Sequence, residues 1–295
     1  WRDSKTDFLG KAWGFYKTVR GHGYELAFDL SLSNQFGFFL WTMGIRHRLG
    51  FRYRNRGKFL NASLPLNGYA GRHVAEHQRD LLGLVEHGPL GQHGLKYRGT
   101  AHARSAVSAK LQALGVAGRE SLVAVAPGGG DSWGPNASLK QWSPVHFAAL
   151  CRKLSAAGHR ILLLGSSSDQ AVTEEIAKYL KGRAISLAGK CSLAESAAAM
   201  AQCVFVITND GGLLHLAVAQ DIPTVSFFGP TDDAVYGPFP RQDKHLVLAH
   251  SLPCRPCYQN FRLPPCPYDK KCLEELSPEE AMEKIQAWMR QGVPA

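Results

Sequence analysis

Hydrophobic and polar positions alternate in blocks along the chain from residue 121 onward. Short, continuous apolar runs recur there, and each is followed by a more polar stretch, as expected of strands that helices cover on both faces. The predicted strands are "SLVAVAP", "RILLLGS", "AISLAG", "CVFVIT", "PTVSFFG" and "HLVLAH", and the predicted helices cover 143–157, 169–181, 192–201 and 212–220. This repetition of strand–helix units predicts a parallel, doubly wound α/β sheet.

The pattern over residues 1–115 is less regular and predicts a smaller α/β domain. Its predicted helices cover 5–20, 33–44, 73–86 and 102–114, and its predicted strands are "YELAFDL" and "HRLGF". The stretch 87–102 is rich in turn-forming residues and is predicted to be a loop. A last helix is predicted at 278–291, where "SPEE" offers a serine cap, a proline in the first turn and two acids.

Composition and charge narrow the class of protein. With 45% hydrophobic and 20% charged residues among 295, and no run of eighteen apolar residues, the chain is typical of a globular protein without a spanning helix. Residues 1–110 hold 17 basic and 7 acidic side chains, and therefore the whole net charge of +10. This asymmetry favours an anionic partner, either nucleic acid, an acidic membrane surface or a phosphorylated glycan. The alternative is a solvated basic loop.

The stretch "TNDGGLLHL" (208–216) lies where a strand is predicted to lead into a helix. Gly211 and Gly212 would let a ligand approach the backbone, and the start of the helix favours a phosphate. Asp210 suits helix capping, or contact with a hydroxyl or an amine. His215, one turn further on, could reach the same pocket. The alternative interpretation is a capped helix packed on its strand, with His215 an ordinary polar residue.

Two more loops are predicted at the same edge of the sheet. Gly128, Gly129 and Gly130 follow the first strand, although neither a P-loop nor a dinucleotide fingerprint is present. Lys140 precedes the next helix and suits a diphosphate, unless it is a surface lysine on a long loop. Asp169 follows the second strand, where it could bind a ribose or cap a helix. Together the loops predict a site for a nucleoside diphosphate.

Four of the seven cysteines cluster in "CRPCYQNFRLPPCPYDKKC" (254–272) with the spacing C-x2-C-x8-C-x5-C. The first pair, Cys254 and Cys257, resembles half of a structural zinc site, whereas Cys266 and Cys272 are spaced more widely. Packed or oxidisable thiols are the favoured interpretation, and structural zinc is the alternative. Because no secretory signal is recognised, a disulfide framework is not the default.

These residues carry a resemblance to a known family. "NDGGLLHLAVAQDIPTVSFFGPTD", with "PGGG", "KQW" and "GSSSDQ" upstream, resembles glycosyltransferase family 9, which includes the heptosyltransferases of lipopolysaccharide core assembly. The resemblance implies a GT-B fold, with two Rossmann-like domains facing a cleft and the first apparently truncated here. It implies an acceptor-binding domain over 1–115, a nucleotide-sugar-binding domain over 116–277, and a final helix within 278–295 that crosses back towards the first domain.

The resemblance also implies roles for single residues. Its donor motif maps onto Asp210, Gly211, Gly212, Leu213 and His215, with Lys140 and Asp169 as further donor-binding residues beside the three-glycine loop. The family's proposed general base is the aspartate of an "LGD" loop, which is expected upstream of Trp1. Lys140 would stabilise the leaving diphosphate in place of a metal, so inverting sugar transfer is expected to need no cofactor.

The expected donor is ADP-heptose or a related nucleotide sugar. Arg48, Arg52 and Arg54, in the basic first third, are predicted to bind an anionic glycolipid or lipopolysaccharide core acceptor. The enzyme is expected to be cytoplasmic, peripheral on the inner face of the inner membrane, and without a nucleic-acid partner. Three alternatives stay open: a non-catalytic nucleotide-sugar-binding module, a nucleic-acid-binding protein, and a non-hydrolysing nucleotide-sugar epimerase.

Overall fold

The computed structural model describes residues 5–85, 94–116, 118, 120–128 and 133–292. Two compact units make up the chain, Trp1–Gln92 and His93–Ala295. The first unit begins with a long helix and contains a small parallel sheet in the order β1-β2-β3. Its helices are α1 (Lys5–Gly21), α2 (Asn34–Thr42) and α3 (Val74–Asp80), a 3-10 turn covers Leu81–Leu84, and its strands are β1 (Leu26–Asp29), β2 (His47–Arg52) and β3 (Ala62–Pro65).

The second unit contains the six predicted strands. They are β4 (Leu122–Ala126), β5 (Arg160–Leu163), β6 (Ala184–Ser186), β7 (Phe205–Asn209), β8 (Thr224–Phe227) and β9 (His245–Leu248). The helices are α4 (Ala101–Ala113), α5 (Pro144–Ala156), α6 (Gln170–Tyr179), α7 (Leu193–Met200), α8 (Gly212–Val218), α9 (Asp233–Tyr236), α10 (Lys271–Glu274) and α11 (Pro278–Arg290), with 3-10 turns at Gly134–Lys140 and Ser167–Asp169.

All pairings in the larger sheet are parallel, in the order β6-β5-β4-β7-β8-β9. Chain order reverses between β4 and β7, so the connections leaving these two strands diverge to opposite sides. Such a switch point opens a crevice outside the carboxyl ends of the strands, where open α/β sheets bind their ligands. The fold therefore places the loops after β4, β5 and β7 around one location.

Alternation along the strands builds a core on each face of this sheet. Val123 and Val125 of β4 face one cluster, which α5, α6 and α11 complete, whereas Ala124 and Ala126 face a second cluster under α4 and α7. Every residue of β4, β7 and β8 is buried. This two-sided burial explains why the strands are continuous apolar runs in the sequence.

Two helices that the sequence prediction did not assign to the nucleotide-binding domain, α4 and α11, pack on the core of the second unit. The helix α4, which the sequence prediction placed within the first domain, buries Ala103, Val107 and Leu111 in the second unit's core. The helix α11 buries Ile285 and Trp288 against the same unit, with α5 and β9 as neighbours. The expectation that it crosses towards the first domain stays a prediction.

Candidate nucleotide-binding site

A cavity of about 670 Å³ lies at the carboxyl edge of the six-stranded sheet. Its size is that of a pocket for a small organic ligand. It lies within the second unit, and residues from the loops after β4, β5, β6 and β7 line it. Six of the predicted donor-binding residues are among them: Gly128, Asp169, Gly211, Gly212, Leu213 and His215. The predicted Gly129 and Gly130 lie outside the described residues.

The glycines around the cavity have different physical roles. A Cβ added to Gly212 would meet no atom within 4 Å, so this position has open space in front of it. A Cβ at Gly128 would overlap the carboxylate of Asp169, and one at Gly165 would come within 2.7 Å of the Asp169 Cβ. Gly128 is therefore needed by the packing of Asp169, whereas Gly212 is compatible with close approach of a ligand.

Asp169 takes part in a local cap and also lines the cavity. Its Oδ2 accepts hydrogen bonds from the amide and the hydroxyl of Ser166, both at 2.8 Å, which completes a capping box for the 3-10 turn. The side chain is half-buried and its second oxygen, Oδ1, faces Gly128. The capping role is therefore present in the fold, and it leaves one oxygen that a ligand hydroxyl could contact.

The other carboxylate at this edge, Asp210, forms a buried ion pair. Its Oδ2 lies 2.9 Å from Lys140 Nζ, with side-chain exposures of 5% and 8%, and accepts a hydrogen bond of 2.7 Å from the hydroxyl of Thr231. Lys140 Nζ also lies 4.7 Å from the centre of the Trp133 ring. Of the partners considered for Asp210, the structure provides both an amine and a hydroxyl, and the N-cap of α8 is Gly211 instead.

Neither member of this pair lines the cavity described above. The structure therefore brings Lys140 to Asp210 and to the Trp133 ring, not to the rim of the open space. The role of Lys140 as a ligand for the diphosphate stays a prediction. It requires the lysine to face both Asp210 and a phosphate, which an ammonium with three donors can do.

Sequence reasoning missed the residue that joins these two parts of the edge. Asn209, fully buried at the end of β7, donates from Nδ2 to the carbonyl of Pro127 at 2.7 Å and accepts from the amide of Trp142 at 2.9 Å. It thus holds the start of the glycine loop and the end of the lysine loop together. Trp142 itself is fully buried and stacks on Phe227 at 4.1 Å. The sequence shows only a polar residue before Asp210.

Two further walls of the cavity were not anticipated. Leu95, Lys96 and Tyr97 come from the stretch predicted to be a loop, and the amide of Tyr97 donates to the carbonyl of Ala219 at 2.8 Å. The loop after β6 and the start of α7 contribute Cys191, Leu193 and Ser196. Burial raises the pKa of the Cys191 thiol, so it is a neutral, weakly polar part of the wall.

The three predicted acceptor-binding arginines lie in the first unit and differ from one another. Arg48 has a structural role, because its guanidinium donates hydrogen bonds to the backbone carbonyls of Ile45, Arg46 and Phe59. Arg52 is exposed at the end of β2. Arg54 has a positive φ of 53° and its guanidinium lies 4.9 Å from the ring centre of Tyr53. Arg48 therefore holds the segments before and after β2 in place, and Arg52 and Arg54 are the exposed candidates.

Parallel strands, a switch point and glycine-containing loops define a nucleotide-binding α/β unit. The sequence model of glycosyltransferase family 9 (heptosyltransferase) matches residues 12–263, and the chain belongs to this family. The predicted family and the prediction of a glycosyltransferase are both confirmed. Among the described residues, no helix has the length and apolar character needed to cross a membrane.

Individual relatives agree with this assignment. The chain is similar to lipooligosaccharide heptosyltransferase 2 of Haemophilus influenzae, with 29% identity over 251 residues, or 81% of this chain and 69% of that protein. Its match to lipooligosaccharide heptosyltransferase 2 of Campylobacter jejuni, strain 81116, is 33% identical and covers 50% of this chain, but only 46% of the relative.

A solved structure confirms the fold. The structure of Escherichia coli ADP-heptose LPS heptosyltransferase II superposes with a TM-score of 0.75 at 22% identity, covering 97% of this chain and 82% of that one. The prediction of an α/β fold with parallel sheets, of the kind seen in GT-B heptosyltransferases, is therefore confirmed over nearly the whole sequence.

Proposed function

We propose that this chain transfers a heptose from ADP-heptose to a lipopolysaccharide core acceptor at the cytoplasmic face of the inner membrane. The observation that carries the proposal is the cavity at the switch point, which collects Gly128, Asp169 and Gly212 from three separate loops. Family membership and the names of the relatives supply the donor and acceptor classes.

The cavity supports a definite orientation of the donor. The nucleoside would occupy the open volume, with a ribose hydroxyl at the free oxygen of Asp169. The diphosphate would lie over Gly211 and Gly212, which both line the cavity, and a Cβ at Gly212 would meet no atom within 4 Å. The sugar would then point towards the Lys140–Asp210 pair.

The chemistry expected of such a site is an inverting displacement. An acceptor hydroxyl loses its proton to a carboxylate and attacks the anomeric carbon, while the bond from that carbon to the diphosphate breaks. Negative charge grows on the leaving diphosphate, and Lys140 together with the amides of the glycine loop would stabilise it. The carboxylate base is expected from the family's "LGD" loop and is assigned to no residue of this sequence.

The acceptor is proposed to bind the first unit through its exposed basic residues. Because the guanidinium of Arg48 holds the segments that flank β2, charge reversal at Arg52 and Arg54 is the sharper test. The double variant Arg52→Glu/Arg54→Glu should raise the KM for a lipopolysaccharide core acceptor and leave the Kd for ADP unchanged, since charged contacts guide anionic partners. A change in the ADP Kd with an unchanged acceptor KM would contradict the assignment.

Titration calorimetry and mass spectrometry test the proposed reaction together. ADP should bind at least about tenfold more tightly than UDP. Incubation with ADP-heptose and truncated lipopolysaccharide core should add the mass of one heptose to the acceptor, and NMR of the product should show the inverted anomeric configuration. ADP binding without transfer would support a non-catalytic module, and conversion of ADP-heptose without an acceptor would support an epimerase. Absence of ADP binding would contradict both the site and the function.

A further inference from the structure

The cysteine-rich segment, residues 254–272, has no core of its own. No side chain from residue 251 to residue 272 is fully buried, and the first buried residue after it is Leu273. The segment contains one isolated bridge, between Gln259 and Arg262, and no strand. A stretch with so little buried apolar surface cannot offset the entropy of ordering through packing alone.

The four cysteines of this segment are less buried than a typical free cysteine, and of the four only Cys272 packs against the hydrophobic core. Cys254 and Cys266 are exposed and Cys257 and Cys272 are half-buried, whereas Cys151 in the core of the sheet is fully buried. Free cysteine is normally among the most buried residues of a protein. Four of them at one exposed location therefore indicate a chemical role. Packing on the core accounts for Cys272 and leaves the other three cysteines without this explanation.

All four sulfur-bearing side chains line one small cavity of about 30 Å³. The cavity brings the four cysteines to one location, although they are up to 18 residues apart along the chain.

Other groups around the cavity suit four thiolates bound to a metal ion. The amide of Lys270 donates to Cys266 Sγ at 3.4 Å, and such a bond stabilises a negatively charged sulfur. Arg255, Lys270 and Lys271 line the same cavity and would offset the two net negative charges of four thiolates around a divalent ion. All four cysteines are free of disulfide bonds.

We propose that Cys254, Cys257, Cys266 and Cys272 form a closed tetrathiolate site for one structural zinc ion. Four sulfur ligands in a tetrahedral arrangement are the set that zinc prefers in structural sites. Among the described residues, no three metal-ligating side chains are grouped closely enough to hold an ion. Binding therefore draws the sulfurs together and releases the thiol protons to solvent.

The site would hold the loops beside the buried ion pair. The amides of Cys257 and Tyr258 donate to the carbonyl of Pro230 at 3.0 and 2.9 Å, and Arg255 Nε donates to the carbonyl of Gly229 at 2.8 Å. These contacts fix the loop that carries Thr231, the hydroxyl partner of Asp210. Zinc bound at the four cysteines would therefore stabilise the loop beside the Lys140–Asp210 pair. It would take no part in sugar transfer.

Metal analysis of the whole chain, purified without chelator, tests this proposal. The protein should contain one equivalent of zinc, and exchange for Co²⁺ should give the intense visible bands of tetrahedral thiolate coordination. Each of Cys257→Ser and Cys272→Ser should lower the zinc content to a small fraction and lower the Tm. The matched control is Cys203→Ala, because this cysteine lies outside the segment and packs on the core under α7.

Measurements on the unmodified chain keep the test decisive if a variant fails to fold. Removal of zinc by chelator should lower the Tm, and added zinc should restore it. Zinc below a tenth of an equivalent, with all four thiols open to alkylation and no response of the Tm to zinc, would overturn the proposal. Disulfides among these cysteines in protein purified under reducing conditions would overturn it as well.

Discussion

Two neighbouring parts of the same sheet edge are built in opposite ways. Over β4, β5 and β7 the edge is open, with a cavity of about 670 Å³ walled by Gly128, Asp169 and Gly212. A few residues away the edge is filled, because Lys140 and Asp210 are buried against each other under Trp133. The loops after β4 and β7 contribute residues to both parts. Within each of these two loops, some residues line the binding space and others belong to the closed polar cluster.

The comparison shows how differently two carboxylates can be used at equivalent strand ends. Asp169 keeps solvent access and is satisfied by two hydrogen bonds from Ser166, which leaves an oxygen available. Asp210 is removed from water and requires a countercharge and a hydroxyl to offset its desolvation. The open carboxylate suits recognition of a neutral hydroxyl, and the closed one suits positioning of a cation.

The largest expected effect comes from breaking the closed pair. Lys140→Met leaves Asp210 buried without its countercharge, which should reduce the free energy of unfolding by about 3–5 kcal/mol. The double variant Lys140→Met/Asp210→Leu should recover most of this loss, since no charge is then left unpaired. Urea unfolding measures both. The control is Lys153→Met, which removes an exposed ion pair with Glu279 and should leave the Tm nearly unchanged.

The same Lys140→Met variant tests whether the lysine also faces the ligand. Loss of a charge-assisted contact should weaken ADP binding by about 1.5–3 kcal/mol more than adenosine binding. Equal losses for the two ligands would show that Lys140 is structural only. A stability loss no larger than that of an exposed pair would contradict the closed geometry itself.

Filling the open part should affect binding without affecting the fold. Gly212→Val places a branched side chain where the structure has free space, so the second unit should fold unchanged. ADP affinity should fall at least about 100-fold, or about 2.7 kcal/mol, because the side chain blocks approach to the backbone. Calorimetry measures it, with Gly14→Val in α1 as a control at another open glycine. Unchanged affinity would remove this loop from the site.

Asn209 joins the two parts, so its removal should disturb both. Asn209→Ala leaves the amide of Trp142 and the carbonyl of Pro127 buried without this partner, and the free energy of unfolding should fall by about 1–3 kcal/mol. ADP affinity should fall a few-fold as the glycine loop loosens. Asn34→Ala is the matched control, because Asn34 accepts from the amide of Gly57 in the first unit. Undiminished ADP affinity would show that the two parts are independent.

The contrast also separates what the sequence could predict from what it could not. Strands such as β4 and β7 are visible as apolar runs because both of their faces are buried, and the edge loops follow from the parallel topology. The strand β3, Ala62–Pro65, escaped prediction because it is short, only half-buried and ends in proline.

Within the site, the predicted glycines and Asp169 are local features that a motif can reveal. The pairing of Lys140 with Asp210 joins residues 70 positions apart, and no local pattern encodes it. The same holds for Tyr97, which reaches the cavity wall through a backbone hydrogen bond to Ala219. Long-range contacts of this kind depend on how whole elements pack, which is why composition and spacing did not reveal them.

Substitution of Asp169, the carboxylate that lines the cavity, should have the smallest effect, and it is the most direct test of the comparison between the two carboxylates. Asp169→Asn keeps an acceptor oxygen for the Ser166 cap, so the Tm should change little. It replaces the charged acceptor for a ribose hydroxyl with a neutral amide, so ADP affinity should fall by about 1 kcal/mol, roughly fivefold. The measurement that isolates this contact is the binding of 2′,3′-dideoxy-ADP, which lacks the hydroxyls. Wild type and variant should bind that analogue equally, because the carboxylate then has no ligand group to accept from. If the variant weakens both nucleotides alike, Asp169 acts through the loop it caps, and both carboxylates of this edge are then structural.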